Sequence, residues 1–294
     1  MRAKVLGYIQ NVIFFAGFVF ICHFLIINSR KIPSFGFLVY FGLIFNYFLF
    51  YLFLSFGQRS VFKNGIGVLK LLDVNILSNF LNLILPLKAG IIYKASVIKN
   101  NHGISYREFS IKMLSLSLIS LLIVFLALAI LLCFWQSGAV HSVYIDRYFY
   151  FVITAIVSIL SIVIVVISKK IQSLDRVSLI KIMTFYFFSS VTYIIKFLIY
   201  IYAFGLNSSL YEVSVMTYLI LAAGFISVLP GNIGLRELSL IGVLSMFQVD
   251  GDRAVLIAFL DRLIQILFLG GYSLVSLAIK KYKQESVTGF EWNY

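Results

Sequence analysis

The stretch Leu229–Glu237 reads LPGNIGLRE and lies between two apolar runs, Val213–Val228 and Leu238–Phe247. Its proline, two glycines and asparagine interrupt what would otherwise be one continuous apolar helix. The adjacent charges of Arg236 and Glu237 stand where hydrocarbon side chains are expected. Irregular backbone at membrane depth is tolerated only where protein buries it or water lines it, and ionisable groups there are costly and by default functional. The stretch therefore predicts a broken, charged hairpin that dips into a membrane.

The composition of the whole chain is that of a membrane protein. Of the 294 residues, 62% are apolar and 12% are charged, and the mean hydropathy is +1.03. Apolar runs of about 20 residues recur, and each is long enough to span a bilayer. The net charge of +13 does not indicate nucleic acid, because most cations fall between apolar runs, the pattern of the positive-inside rule. We therefore predict an all-α, polytopic helical membrane protein with no nucleic-acid partner.

We predict about six spans plus two re-entrant hairpins in a single integral membrane domain, residues 1–294. The distribution of Lys and Arg places both termini in the cytoplasm, with residues 284–294 as a cytoplasmic tail and Arg30 and Lys31 as the one exception. The expected location is the inner or plasma membrane of the cell. The predicted spans are about Leu6–Ile27, Phe35–Phe56, Met113–Trp135, Tyr148–Ile167, Ile182–Phe204 and Arg253–Ile279.

An earlier stretch, Pro86–Lys94 (PLKAGIIYK), has the same design as Leu229–Glu237. The preceding run, Leu71–Leu87, is too short and too polar for a confident span, and a second short helix is predicted over Gly90–Ile98. A hydrophilic loop is predicted over Lys99–Lys112. We interpret the two short segments as a re-entrant hairpin that enters and leaves on one side of the membrane.

The two halves of the chain, about 1–140 and 141–283, overlay with a shift of roughly 144 residues. Pro86 and Gly90 then fall on Pro230 and Gly234, and together with Gly231 these residues are the predicted hinges. Three spans per half give the halves opposite orientations, which is the inverted repeat common in secondary transporters. The alternative is the weak periodicity that any polytopic protein can show.

Residues around the second break could bind an anion. Asn232 is a plausible N-cap for a helix that begins near Leu235, which puts Arg236 in the first turn, where the helix dipole is already positive. A cation there needs an anion nearby, either Glu237 or a ligand phosphate. The alternative is that Arg236 and Glu237 both pair with residues on neighbouring helices.

Further charges lie near the first break and inside the spans. Lys88 occupies nearly the same place in the first hairpin as Arg236 in the second. Lys196, Asp261 and Arg262 fall within predicted spans, and we expect them to face the bundle interior because a charge facing lipid is costly. Neither His nor Cys shows the spacing of a metal site, so no metal and no cofactor are predicted.

At the two breaks, the sequence resembles the transmembrane region of the lysylphosphatidylglycerol synthases, which is considered a lipid flippase. The family pattern is roughly P-x-R-x-G-E-x-x-R, then P-x-x-x-G-x-R-E, then an Arg in the last span. The first element is matched by Pro86, Lys88, Gly90 and Lys94, with Lys twice in place of Arg, but Ile91 stands where the family has Glu.

The second family element is matched by Pro230, Gly234, Arg236 and Glu237, and Arg262 fits the last. The resemblance covers most of the chain. No hydrophilic segment is long enough to form the family's soluble aminoacyl-transfer domain, so synthase activity is not expected.

The resemblance and the charged breaks together favour a non-enzymatic, flippase-like protein. It would move an anionic phospholipid or a polyprenyl-phosphate-linked saccharide between leaflets by alternating access, and a homo-oligomer is compatible with the sequence. Two alternatives remain: a membrane-embedded transferase or polymerase that acts on lipid-linked glycans, and a non-transporting partner subunit of an envelope enzyme. In the first hypothesis, the head group is held by Lys88, Lys94, Arg236 and Arg262, with Lys196 and Asn232 as further cavity residues and Glu237 balancing charge or coupling to protons.

The inverted repeat makes a topological prediction. Single cysteines introduced as Pro86→Cys and Pro230→Cys, in a chain whose Cys22 and Cys133 are replaced by Ala, should react with membrane-impermeant maleimide from opposite sides of the membrane. Labelling of both from one side, or of neither, would contradict the inverted arrangement.

Overall fold

The structure of the chain, a computed structural model, describes residues 36–62, 65–85, 88–135, 176–226 and 235–288. Every regular element within these residues is an α-helix. In chain order the helices are α1 Phe37–Phe62, α2 Val68–Ile84, α3 Ala89–His102, α4 Tyr106–Trp135, α5 Arg176–Ala203, α6 Leu210–Ile226, α7 Leu235–Met246 and α8 Gly251–Thr288. The predicted spans Leu6–Ile27 and Tyr148–Ile167 lie outside the described residues.

Four of the described helices, α1, α4, α5 and α8, are long and apolar enough to cross a membrane. They correspond to the second, third, fifth and last predicted spans and confirm the all-α, polytopic fold class. Their outer surfaces carry large exposed apolar side chains. Phe37, Phe41 and Phe45 are stacked in a row along α1, all about half exposed or more, as expected for a surface that faces lipid.

The predicted loop Lys99–Lys112 is wrong in extent. Helix α3 continues to His102 and α4 begins at Tyr106, so only residues 103–105 are non-helical. The charges that suggested a loop instead lie on helix ends, where Lys112 pairs with Glu108 one turn earlier at 2.7 Å. Such pairs, four residues apart, favour a helix over a loop.

The other four helices are shorter over the residues that the structure describes. Helices α2 and α6 have 17 residues each, α3 has 14 and α7 has 12. At 1.5 Å per residue they are about 18 to 25 Å long, against a hydrocarbon core of about 30 Å. This is the length expected of the arms of a re-entrant hairpin.

Helices α2 and α3 form an antiparallel hairpin whose two arms touch directly. Ser78 donates a hydrogen bond of 2.7 Å to the carbonyl oxygen of Gly90, and Asn75, one turn earlier on α2, accepts one from Lys94 at 2.6 Å. A Cβ added at Gly90 would collide with the backbone carbonyl of Ser78. Glycine at position 90 therefore allows the closest approach of the two arms, which is a packing role distinct from the predicted hinge.

The helix contacts of the two halves follow the same pattern when α1 to α4 are matched with α5 to α8 in order. The arms of each hairpin pack on each other, α2 on α3 and α6 on α7. Each first arm also packs across the boundary, α2 on α8 and α6 on α4, and α1 and α5 form the most extensive contact in the bundle. Each hairpin is therefore held mainly by the long helices around it. Opposite orientation of the two halves in a membrane stays a prediction.

The contact at Gly90 leads to a stability prediction. Gly90→Ala should lower the free energy of unfolding by about 1–3 kcal/mol or more, because the added methyl group forces α2 and α3 apart. The measurement is thermal unfolding of the detergent-purified protein. Gly242→Ala is the matched control, since Gly242 is also helical but has no atom within 4 Å of an added Cβ, and it should be neutral or slightly stabilising. Equal effects of the two substitutions would contradict the packing role.

Candidate functional site

One carboxylate, that of Asp261 on α8, joins four helices. Its Oδ2 accepts a hydrogen bond of 2.7 Å from Arg236 on α7, and its Oδ1 lies 3.0 Å from Nζ of Lys196 on α5. The hydroxyl of Tyr47 on α1 donates to the same Oδ1 at 2.7 Å, and the Tyr200 hydroxyl lies 3.4 Å from it. Asp261 therefore ties α1, α5, α7 and α8 together at one point.

The cluster around Asp261 is almost free of solvent. The side chains of Asp261 and Lys196 are each 2% exposed. The Lys196 ammonium also lies over the rings of Tyr193 and Phe197, at 4.4 and 4.8 Å from their centroids, and such contacts stabilise a desolvated cation. Removing one partner of a buried ion pair typically costs about 3–5 kcal/mol, because the remaining charge is left uncompensated. Each charged group in this cluster therefore depends on the others to compensate its charge.

A second ion pair connects α7 and α8, the helices that are joined by Arg236 and Asp261. Arg262 on α8 lies 3.5 Å from a carboxylate oxygen of Glu237 on α7, through Nε. The Gln265 side-chain oxygen accepts a bond of 2.6 Å from Arg236 and a longer one, 3.4 Å, from Arg262. The short helix α7 is thus attached to α8 by both of its adjacent charges.

These contacts show which protein groups pair with Arg236 and Glu237. Its ion pair is with Asp261, 25 residues later in the chain, whereas its neighbour Glu237 pairs with Arg262. Both residues therefore pair with the neighbouring helix. The expectation that Lys196, Asp261 and Arg262 face the bundle interior agrees with their burial, at 2–4% exposure.

A cavity of about 270 Å³ lies beside this cluster, between α1, α4, α5, α6 and α7. Arg236 reaches its wall and keeps 20% of its side chain exposed, whereas Asp261 and Lys196 are covered. Apolar residues line much of the rest. The other polar lining side chains carry hydroxyl groups, and they are Ser120, Tyr186, Ser189, Ser190 and Tyr193.

Two of the lining hydroxyls have their protons committed to the backbone. Ser189 donates to the carbonyl of Tyr186 and Ser190 to that of Phe187, each at 2.7 Å. The Ser190 oxygen also lies within hydrogen-bond distance of the Tyr218 hydroxyl, at 3.1 Å. Each serine oxygen still keeps at least one lone pair that can accept a hydrogen bond from a bound molecule. Among the described residues, the cavity wall therefore offers one cation for an anionic group and hydroxyl oxygens for hydrogen-bond donors.

The first hairpin holds its cation differently. Lys94 is 4% exposed and donates to the side-chain oxygens of Gln58 at 2.8 Å and Asn75 at 2.6 Å. The Asn75 amide in turn donates to Ser55 at 2.9 Å. Lys94 therefore has neutral partners and does not line the cavity. Ile91, which stands where the family pattern has Glu, is 42% exposed on the same helix.

The remaining predicted site residues are separated from the cavity or not described. Lys88 is exposed and caps α3 in the left-handed conformation, with φ of 54°, but its side chain makes no capping hydrogen bond. The structure therefore brings Lys196, Arg236, Glu237 and Arg262 together and leaves Lys88 and Lys94 apart from them. Pro86, Pro230, Gly231, Asn232 and Gly234 lie outside the described residues.

The central position of Asp261 and the role of Tyr47 were not predicted from sequence. Tyr47 is one of many aromatic residues in an apolar helix, and nothing local separates it from residues that pack in the core or against lipid. Gln265 carried a clearer signal, because it lies three residues after Arg262 and so shares a face of α8 with it. A polar pair at helical spacing inside a span indicates which face points inward.

The cluster predicts strong energetic coupling between Arg236 and Asp261. In a double-mutant cycle with Arg236→Gln and Asp261→Asn, the coupling energy should be about 1.5 kcal/mol or more, because both groups are desolvated. The measurement is unfolding of the purified protein in detergent. Lys112 and Glu108 form the control pair, also 2.7 Å apart, but the Glu108 side chain is 49% exposed, so about 0.5 kcal/mol is expected. Equal coupling in the two pairs would contradict the burial argument.

Comparison with protein families gives a match over residues 29–271 to the model described as the lysylphosphatidylglycerol synthase TM region. The matched range includes both breaks, the ion pairs and every residue named in the cavity wall. Comparisons with curated proteins and with solved structures give no match. The family match covers most of the chain, and its description agrees with the apolar helices and the resemblance at the two breaks. The chain therefore belongs to the family of lysylphosphatidylglycerol synthase transmembrane regions and is a multi-pass membrane protein of the flippase-like kind.

Proposed function

We propose that this protein moves an anionic lipid, either a phospholipid or a lipid-linked saccharide, between the leaflets of the cell membrane by alternating access. The observation that carries the proposal is the position of Arg236. It is held in place by Asp261 and Gln265 at its inner side, and it still exposes part of its guanidinium-bearing side chain to a cavity among helices of membrane-spanning type.

The charge of the cluster supports an anionic ligand. Among the described residues, its three cations, Lys196, Arg236 and Arg262, face two carboxylates, Asp261 and Glu237. Because a net charge inside a low-dielectric bundle is costly, an anion in the cavity would be attracted to it. An arginine is also well suited to a phosphate, which it can bind through two parallel hydrogen bonds.

The size and lining of the cavity support binding of a head group rather than of a whole lipid. Sites for drug-sized ligands measure about 300–1,000 Å³, so about 270 Å³ leaves room for a small polar group, with the acyl or polyprenyl chains outside. Ser189 and Ser190 could accept hydrogen bonds from the hydroxyl groups of a glycerol or sugar. A phosphate at Arg236 that carries a polyol toward these serines would match the distribution of charge and acceptors.

The position of the cavity supports alternating access. Its wall combines α1 and α4 from the first half of the chain with α5, α6 and α7 from the second. In transporters built from repeats, the substrate binds between the repeats, and rocking of one against the other opens the site to each side in turn. We propose the same arrangement here, with no enzymatic step and with both termini in the cytoplasm.

Reconstitution into liposomes tests the function. Wild-type protein with fluorescent phosphatidylglycerol should transfer the probe between leaflets, and this is followed by chemical quenching of the outer-leaflet probe. Arg236→Ala should slow the transfer about tenfold or more, because a hydrogen bond to a charged group contributes about 1.5–3 kcal/mol. Glu237→Gln should slow it as well, since it loosens the Arg262 pair that holds α7.

Lys112→Met is the matched control, because Lys112 is, like Arg236, a cation inside the bundle that is paired with a carboxylate, but it does not line the cavity. It should transfer the probe at the wild-type rate. If Arg236→Ala and Glu237→Gln also transfer at that rate, the site is misplaced. Covalent change of the lipid by the purified protein would instead support the transferase hypothesis, and absence of any transfer by folded wild type would support the partner-subunit hypothesis.

A further inference from the structure

Arg236 and Lys196 are held by different oxygens of the same carboxylate. Asp261 Oδ2 binds Arg236, while Oδ1 binds Lys196 and accepts from Tyr47. Neither cation blocks the position of the other. Arg236 can therefore leave Asp261 without disturbing the contacts on Oδ1.

The two cations also differ in access. Lys196 is enclosed by Tyr47, Tyr193 and Phe197, with its ammonium within 5.4 Å of each ring centroid, and it does not line the cavity. Arg236 does line it. An anion that enters the cavity consequently meets Arg236 and competes with Asp261 for its guanidinium group.

This competition would be prohibitive if Asp261 were left alone, because a buried charge without a compensating partner is strongly destabilising. With Lys196 and Tyr47 still bound to Oδ1, Asp261 stays compensated. We propose that Lys196 and Asp261 are positioning residues that form a counter-ion switch. Lys196 compensates the negative charge of Asp261 when Arg236 exchanges Asp261 for the phosphate of a lipid head group. The inference rests on the proposed function and adds how the same site binds and releases its ligand.

The switch also links binding to movement of a helix. Arg236 attaches α7 to α8 through Asp261 and Gln265, and a further charged link between these helices is the 3.5 Å pair of Glu237 and Arg262. When the anion replaces Asp261 as the partner of Arg236, the attachment of α7 to α8 weakens. Binding of the head group would thus release the short helix that has to move if the cavity is to open.

The proposal predicts effects of opposite sign. In Asp261→Asn, the competing carboxylate is gone, so the affinity for an anionic head group should rise about fivefold or more. In Lys196→Met, the whole charge of Asp261 acts on Arg236, so the affinity should fall by a similar factor. A purely structural role would lower the affinity in both variants.

The double variant Lys196→Met/Asp261→Asn separates a switch from a direct charge effect. Because Lys196 acts through Asp261, the double variant should bind like Asp261→Asn. If Lys196 attracted the ligand by its own charge, Lys196→Met would weaken binding by the same factor whether residue 261 is Asp or Asn. The double variant also keeps the net charge of the cluster. If Asp261→Asn alone does not fold, the comparison of the double variant with Lys196→Met therefore still tests the proposal.

The measurement is calorimetric titration of the folded, detergent-purified full chain with dihexanoyl phosphatidylglycerol. Dihexanoyl phosphatidylcholine is the zwitterionic control ligand, and Lys112→Met is the control variant, with wild-type affinity expected. If Arg236→Ala binds phosphatidylglycerol as wild type does, the proposed function itself fails. If Arg236→Ala loses binding but Asp261→Asn and Lys196→Met shift the affinity in one direction, or the double variant follows Lys196→Met, the switch is overturned and the proposed function stands.

Discussion

The interaction on which the described structure depends most is the compensation of the Asp261 carboxylate in the middle of an apolar bundle. Within the hydrocarbon core no water is present to solvate a charge, so each ionised group must find its partners in the protein. Asp261 finds them on α1, α5 and α7 at once. Because these partners come from distant parts of the sequence, the carboxylate requires one specific arrangement of helices, which nonspecific apolar packing would not.

This requirement explains how a short helix is held in the bundle. Helix α7 has 12 residues and cannot be fixed by spanning the bilayer. It is positioned by packing on α6 and α8 and by the ion pairs of Arg236 and Glu237 with α8. Its counterpart α3 is held instead by close contact at Gly90 and by hydrogen bonds from Lys94 to neutral side chains. The two hairpins share a design but differ in electrostatics.

The difference between the hairpins has a consequence for the cavity. The second hairpin brings a paired but still accessible cation to the wall, whereas Lys94 is buried among its partners away from the lining residues. A ligand anion would therefore interact with one hairpin directly. The two halves match in the pattern of their helix contacts and differ in the charged side chains that they present to the cavity. This difference suits a site in which one half binds the ligand and the other half supports the binding half.

Local sequence patterns predicted the long helices well and their ends less well. Apolar runs of span length identify α1, α4, α5 and α8 because burial in lipid depends on composition rather than on tertiary contacts. The loop predicted over Lys99–Lys112 was wrong in extent because charged residues occur both in loops and at helix ends. The Glu108–Lys112 pair four residues apart was the local sign of a helix.

The sequence by itself determined that this is a polytopic helical membrane protein with two interrupted, charged segments, since hydropathy and helix-breaking residues act locally. It also indicated that Lys196, Asp261 and Arg262 face inward, because charges are too costly to expose to lipid. Only the tertiary structure decided which charge pairs with which. Arg236 stands next to Glu237 in the chain but binds Asp261, because adjacent side chains on a helix point in different directions and the facing helix α8 supplies the nearer carboxylate.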